Sequence, residues 1–494
     1  MNIAVTGIDF LRQAEVAGRL RSLLPADAVL HTEEDTRSYE CDGLSAYRQL
    51  PMVVALPSSE DEVREVLRAC HELKVPVIAR GSGTGLSGGA LPRGDGVLLS
   101  LAKMRRILAV NSLARTAQVQ PGVTNLAISQ AAAPYGLFYA PDPSSQIACS
   151  IGGNVAENSG GVHCLKYGLT LHNVLRVRAV TVEGEVVEFG SEALDSPGLD
   201  TLAILIGSEG MLAVITEITV KLLPRPETAR VILASFDDVE KAGNAVADVI
   251  AAGVLPSGLE MMDRPATRAV EEFVRAGYDL EAAALLLCEA DGTPEEVEEG
   301  IAGMGEVLKR AGATAIRISG SEAERQRFWA GRKAAFPAVG RISPDYYCMD
   351  GTIPRKKLGE ILKFIAEMEK KYRLRCPNVF HAGDGNLHPL ILFDANDPDQ
   401  LERTERFAGE VLEKCIEVGG TITGEHGVGV EKINQMCVQF SAAEIERLQG
   451  VKRAFDPEGL LNPGKNIPTL HRCAEFGRMR VHGGKLSHSD LPRF

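Results

Sequence analysis

Aromatic side chains are scarce in this chain of 494 residues: they make up 5% and include a single tryptophan, Trp329. No run reaches the ~18 apolar residues of a membrane-spanning helix, and residues 1–10 lack the basic start and apolar stretch of a secretory leader. There is no internal repeat. The ten cysteines are scattered, and none forms a C-x-x-C pair, which excludes the usual ligand spacing of a zinc ribbon or an iron–sulfur cluster. A disulfide framework is not expected in a chain this long, so a reducing, cytoplasmic setting is expected, with any membrane contact made through partners. Positive charge is also short: 53 Lys and Arg face 66 Asp and Glu, and the net charge of -13 argues against a nucleic-acid partner.

What is present is an ordinary globular composition, 45% hydrophobic and 24% charged, with length for two or three domains. Residues 1–47 read as a helical lead-in. A strand at 52–56 is followed by Ser59 and Glu62, which form a capping box ahead of an apolar helical stripe of Val63, Val66, Leu67, Cys70 and Leu73. A strand at 75–79 comes next, then a Gly-rich stretch and several short strands. The last of these alternates, with Val214, Thr216, Ile218, Val220 and Leu222 on one side. Pro224 and Pro226 mark a boundary, so residues 48–226 are expected to form one domain. Beyond it, strands at 231–236, 258–262, 283–288 and 314–318 alternate with helices at 239–252 and 295–310. Further helices are expected at 322–334 and 355–371. The order suits an α+β sheet with helices on one face, over residues 227–422. Residues 423–468 are expected to pack back on the first domain, and the polar residues 469–494 to form a disordered tail.

Three segments combine small residues with strand ends. The first is Gly81-Ser82-Gly83-Thr84-Gly85-Leu86-Ser87-Gly88-Gly89. Its glycines fit G-x-G-x-x-G, but a dinucleotide loop of that type must open a helix, and Pro92, Gly94 and Gly96 follow instead. Successive backbone N–H groups can still cradle a pyrophosphate, although a plain glycine-rich turn would look the same. The second segment spans Pro141 to Ser145 and Ser150 to Asn154, continued to Gly161. The third is Gly207-Ser208-Glu209-Gly210. Three such segments let backbone approach a long planar cofactor at several points.

Together they resemble the FAD-binding domain of the vanillyl-alcohol oxidase and p-cresol methylhydroxylase family. The resemblance implies a two-part FAD-binding domain and an α+β, ferredoxin-like substrate domain. It implies flavin contacts at Arg80, Gly81, Ser82, Gly83, Thr84 and Gly85, at Pro141, Asp142, Ser145, Gly152, Gly153, Asn154 and Gly161, and at Glu209, Gly210 and Ile215. Asn462, within Asp456 to Lys465, matches the family's C-terminal return to the flavin. Some relatives attach FAD to a His in the first loop. Residues 81–89 contain none, which implies non-covalent FAD.

Phe380-His381-Ala382-Gly383-Asp384-Gly385-Asn386-Leu387-His388 carries the sharpest local signal. Asp384-Gly385 is a preferred centre for a two-residue hairpin turn, which sets His381 opposite His388. Two imidazoles so placed can share a divalent cation, or they can be two partly buried histidines of a hairpin. Glu425, in Gly424-Glu425-His426-Gly427, could complete a two-His, one-carboxylate site for Zn or Mn with positions left open. These residues match the metal ligands of the D-2-hydroxy-acid dehydrogenase branch of the family. The match makes His426 the proton-accepting base and Arg332 the holder of the substrate carboxylate. A surface Arg on a helix would read the same way.

Asp345 to Pro354 resembles the flavin subunits of bacterial glycolate oxidases. The hydroxyglutarate branch carries a Lys at the position of Cys348, a Thr at that of Phe336 and an Asn at that of Leu390. The expectation is therefore an FAD enzyme oxidising a small D-2-hydroxy acid, glycolate first and D-lactate second. A second flavin-type subunit and an iron–sulfur subunit are implied as partners. A non-catalytic flavin subunit is the rival, and His381, His388, Glu425 and His426 together argue against it. A nicotinamide enzyme loses on loop context.

Overall fold

The computed structural model describes residues 8–193 and 198–469. The tail expected at 469–494 lies outside them beyond residue 469. The lead-in contributes the helix Phe10–Arg21, started by Asp9, whose carboxylate accepts from the N–H groups of Leu11 and Arg12. Its Val16, Ala17 and Leu20 pack with Val63, Val66 and Leu67 of the helix Glu60–Leu73. Ser59 caps that helix as expected, by accepting from Glu62 N–H. The capping box is only half made: the Glu62 carboxylate turns one residue further back, to the N–H of Ser58.

The first unit contains two main sheets. One is four-stranded, in the order Val29–Leu30, Val53–Ala55, Val97–Ser100, Val77–Arg80, with the last three parallel. The other is antiparallel, in the order Ile107–Asn111, Thr116–Val119, Val214–Lys221, Val174–Val180, Val186–Gly190. Val214–Lys221 is central, which explains why Ile215 and Thr219, on its second face, are also buried. The edge strand Val77–Arg80 is covered by the C-terminal segment: Leu461 bridges Val77, and Asn462 N–H donates to Val77 O at 2.8 Å. The small-residue segment at 150–154 opens the helix Ile151–Glu157. Its two glycines are tolerated because Gly152 lies against Pro121, where a Cβ would come within 2.6 Å of the ring.

The second unit is built on an antiparallel sheet in the order Ala315–Ile318, Thr228–Phe236, Ala284–Gly292, Gly258–Asp263, Val379–Phe380. Its first four strands follow the ferredoxin-like 4-1-3-2 order. The expectation of helices on one face fails. Ile232, Ala234, Leu286 and Cys288 pack towards the helices Val239–Ala251, Pro294–Arg310 and Leu358–Tyr372. Val231, Leu233, Leu285 and Leu287, the alternate residues of the same strands, pack towards Arg264–Val274 and Glu322–Lys333. A sheet covered on both faces loses the polar alternation that would have marked one face as wet, and these strands read as unbroken apolar runs. No helix among the described residues is long and apolar enough to cross a membrane.

His163 joins the two units. Its Nδ1 lies 2.7 Å from Asp142 Oδ2 and its Nε2 3.0 Å from Glu289 Oε1. Glu289 also accepts from Arg325 and from the indole N–H of Trp329, so the one tryptophan has a buried polar partner. Burial opposes charge on His163, yet Asp142 and Glu289 outweigh it and raise its pKa well above the ordinary value. Protonated His163 therefore stabilises the folded state fully below pH about 6.5, the unfolded value, and this contribution fades as pH rises through the folded value. Replacing His163 with Gln should cost about 1.5–3 kcal/mol at pH 6, the worth of charged hydrogen bonds. The gap in melting temperature from the unsubstituted protein should narrow by pH 9; a gap independent of pH would refute the charged clamp.

Candidate active site at the junction of the two units

A cavity of about 360 Å³ runs along the first unit and is closed by the second. Ligand cavities typically measure ~300–1,000 Å³. One wall is the Gly-rich turn that leaves the strand Val77–Arg80. Arg80, Gly81, Ser82, Gly83, Thr84 and Gly85 all line it. Gly83 has φ +70°, a left-handed conformation that favours glycine. A Cβ on Gly81 would stand 2.2 Å from Ser150 Oγ. That hydroxyl is itself buried without a hydrogen-bond partner. Backbone N–H groups without side chains in front of them, together with an unpartnered hydroxyl, fit a pyrophosphate-bearing cofactor.

The opposite wall brings in Ser145, Gly152, Gly153, Asn154, Glu209, Gly210 and Ile215, all expected from sequence. Four expected residues are not at the wall. Pro141 O accepts from Asn125, the Asp142 carboxylate is taken by His163, and Gly161 packs on the Asp142 backbone. Asn462 donates to Gly89 O and Glu209 O, holding two wall segments together from behind. Sequence reading missed the acidic residues Asp42 and Glu157 in the lining. Nothing in their local pattern sets them apart from surface carboxylates.

Lys333, Phe336, Pro337 and Tyr346 of the second unit complete the cavity, with Glu425 and His426. Behind Glu425 stand the two histidines, in a register different from the expected one. The hairpin around Gly385 is wider than two residues: His381 bridges Asn386, and Val379 N–H donates to His388 O. His388 is therefore the diagonal neighbour of His381 rather than its opposite. A slip of two positions keeps the side-chain face, because strand periodicity is two. The rings still meet, with centroids 4.9 Å apart.

Three imidazoles converge on one carboxylate oxygen. Glu425 Oε1 lies 3.4 Å from His381 Nε2, 3.0 Å from His388 Nε2 and 3.4 Å from His426 Nε2. His426 stacks on His388 at 4.9 Å. The ligand atoms of His381, His388 and Glu425 lie within 4.8 Å of one another. Although His388 Nε2 is close to Glu425, neither of its ring nitrogens is aligned in a hydrogen bond. Two imidazole nitrogens and a carboxylate so arranged are a donor set that suits Zn or Mn.

His381 Nδ1 pairs with Glu260 Oε1 at 2.8 Å, the carboxylate–histidine arrangement common behind metal ligands. Glu260 was missed from sequence, although an acid between the apolar Leu259 and Met261 of the strand Gly258–Asp263 was a visible clue. Glu260 Oε2 lies 2.7 Å from Arg332 Nη2, and both side chains are buried. Arg332 is thus no surface residue. It stands one layer behind the cavity, and its Nε and Nη2 lack aligned acceptors.

The charges are mutually dependent. Burial opposes ionisation of His381, yet Glu260 and Glu425 push its pKa up to about 10. Burial brings His388 down to about 4, against the pull of Glu425. For His426 burial again opposes charge, while Asp350 and Glu425 raise its proton affinity above the ordinary value.

Comparison with known proteins agrees with this architecture. Residues 51–190 match the FAD binding domain model, and residues 225–466 match the model described as FAD linked oxidases, C-terminal domain. The chain is 62% identical over 475 residues to the glycolate oxidase subunit GlcD of Escherichia coli (strain K12), covering 96% of this chain and 95% of that protein. It is 33% identical over 463 residues to a D-lactate dehydrogenase of Anaerostipes hadrus, covering 91% and 97%. The fold is that of p-cresol methylhydroxylase, with a TM-score of 0.78 at 16% identity over 94% of this chain and 98% of that one. The protein therefore belongs to the FAD linked oxidases and is an FAD-dependent oxidoreductase of the vanillyl-alcohol oxidase and p-cresol methylhydroxylase fold.

Proposed function

We propose that the protein oxidises a small D-2-hydroxy acid to the 2-oxo acid, glycolate first and D-lactate second. The observation that carries this is the convergence of three imidazoles on Glu425 at the wall of the flavin cavity. His381, His388 and Glu425 would hold a divalent cation, Zn or Mn; when bound, such an ion lowers the pKa of a coordinated hydroxyl. The cavity lined by Gly81, Gly83, Gly152 and Gly153 would hold FAD, which would supply the acceptor for a hydride from the α-carbon. His426 takes the hydroxyl proton on Nε2, the nitrogen turned towards the histidine pair. Arg332 balances Glu260 through Nη2, and its Nε, which has no acceptor of its own, is the donor that would turn to the substrate carboxylate.

Substrate size is limited by an apolar wall. Phe336 packs on Tyr346 and His388, and Cys348 and Leu390 are buried in the same cluster. A second substrate carboxylate would be desolvated there, with only the solvent-exposed Lys333 beside Phe336, at a cost of ~3–5 kcal/mol. Similarity to a glycolate oxidase subunit at 62% identity and to a D-lactate dehydrogenase at 33% supports the same order of substrates. Glycolate and D-lactate should therefore exceed D-2-hydroxyglutarate in kcat/KM by at least about 100-fold; equal turnover of hydroxyglutarate would sink the size argument. Replacing His388 with Ala should lose metal and keep FAD. Replacing His426 with Ala should keep both and slow flavin reduction ~10²–10⁴-fold. Flavin reduction at the normal rate in the His388→Ala protein would show that the histidine pair is structural only.

The His-free turn at residues 81–89 supports non-covalent FAD. Acid precipitation should release the yellow cofactor into the supernatant, whereas colour kept in the pellet would contradict the reading. Electrons must then leave a chain without a C-x-x-C cluster motif. We place the chain in the cytoplasm and assign the electrons' exit to a second flavin-type subunit and an iron–sulfur subunit, which would also carry any peripheral membrane contact. Native purification should recover them, and quinone reduction at the native rate by the isolated chain would argue against them.

A further inference from the structure

The turn that carries Glu425 and His426 is held from both sides by buried carboxylates. Oδ2 of Asp350, in the second unit, accepts four hydrogen bonds. Three come from consecutive backbone N–H groups, those of Gly424, Glu425 and His426, at 3.0, 2.8 and 2.7 Å. The fourth comes from Thr423 Oγ1 at 2.9 Å. From the first unit, Glu209 accepts from the next amides but one, Val428 and Gly429, each at 2.7 Å, and from Asn466 Nδ2 at 2.6 Å. Lys432 lies beneath the turn. Its Nζ is 2.8 Å from Asp350 Oδ1 and 2.7 Å from Glu431 Oε2, and it donates to Gly427 O at 2.9 Å. Asp350 and Lys432 are both fully buried.

This arrangement is more specific than a buried ion pair. One carboxylate oxygen that gathers three successive N–H groups fixes the backbone path of the residues that donate them. It therefore fixes the starting direction of the Glu425 and His426 side chains. We propose that Asp350 is a positioning residue for the reaction: with Glu209 it suspends residues 424–429 between the two units, and so sets Glu425 and His426 against the histidine pair and the cavity. The inference rests on the reading that these two side chains hold a cation and move the proton. Asp350 touches neither cavity nor substrate; it acts through the turn. Partners of this kind behind metal ligands are typically worth about 10–100-fold in metal affinity or activity.

The test separates acceptor from charge. In Asp350→Ala/Lys432→Gln the Asp350–Lys432 charge pair is removed, Gln can still donate to Gly427 O and to Glu431, and the three N–H groups lose their acceptor. In Asp350→Asn/Lys432→Gln the Asn carbonyl can still accept from them. Positioning predicts that the Ala double variant loses about 10–100-fold in zinc affinity and in the rate of flavin reduction by glycolate. The Asn double variant should recover most of both, and FAD content should be unchanged in each. Recovery in both variants would overturn the proposal, because a charge pair alone would then explain Asp350. Amide hydrogen exchange at residues 424–426, measured without substrate, reads the suspension itself. It should accelerate in the Ala variant only. Unchanged exchange there would overturn the proposal whatever the activity. Accelerated exchange with undiminished flavin reduction and zinc affinity would equally overturn it, by removing the link to chemistry. Failure of the functional reading is read separately, in a His388→Ala protein with normal flavin reduction.

Discussion

Glu260 and Glu425 place two carboxylates in the interior, and the effective cost of burying an unpaired ion is several kcal/mol. The surrounding structure answers that constraint. Arg332 faces Glu260, His381 lies between Glu260 and Glu425, and His388 and His426 lean on Glu425 from the other side. The six residues come from four elements: the strand Gly258–Asp263, the helix Glu322–Lys333, the turn beyond Val379–Phe380 and the turn before Ile433–Gln439. Removing one charge would strand another, so these elements are tied to one another more tightly than apolar packing alone would require. That mutual dependence also explains why a histidine pushed up in pKa stands beside one pushed down.

The same logic operates where the two units meet. The cavity belongs mainly to the first unit, but Glu425, His426 and Phe336 reach it from the rest of the chain. Carboxylates on both sides, Asp350 and Glu209, satisfy the backbone of the connecting turn, and His163 bridges a second pair, Asp142 and Glu289, across the seam. A backbone turn buried between two units must place its N–H groups on some acceptor, since unpaired ones are costly. Here charged acceptors do so, and the flavin side and the substrate side are thereby held in register.

Much of the site was legible locally. The glycines at residues 81–85 mattered because their spacing after a strand is a backbone requirement, independent of distant contacts. The two histidines were paired correctly in face although not in register, because an even slip leaves the period-2 pattern intact. The helix Glu60–Leu73, opened by Ser59, declared itself through capping chemistry and an apolar stripe. The error over helices on one face had a definite source: strand 228–236 is buried on both sides, and doubly covered strands carry no polar alternation from which to count layers.

By itself the sequence determined the class of cofactor cradle, the residue types of the candidate metal and base cluster, and the order of strands and helices. The pattern of each segment depends on neighbours within a few positions along the chain, and the family resemblance implied that the segments serve one site. The tertiary structure alone decided which buried acids serve the site. Glu260 meets His381 across 121 residues of sequence, Asp350 meets His426 across 76, and Glu209 meets Gly429 across 220. A carboxylate that earns no distinction from its neighbours in sequence acquires a role only when folding takes water away from it and leaves a particular donor within reach.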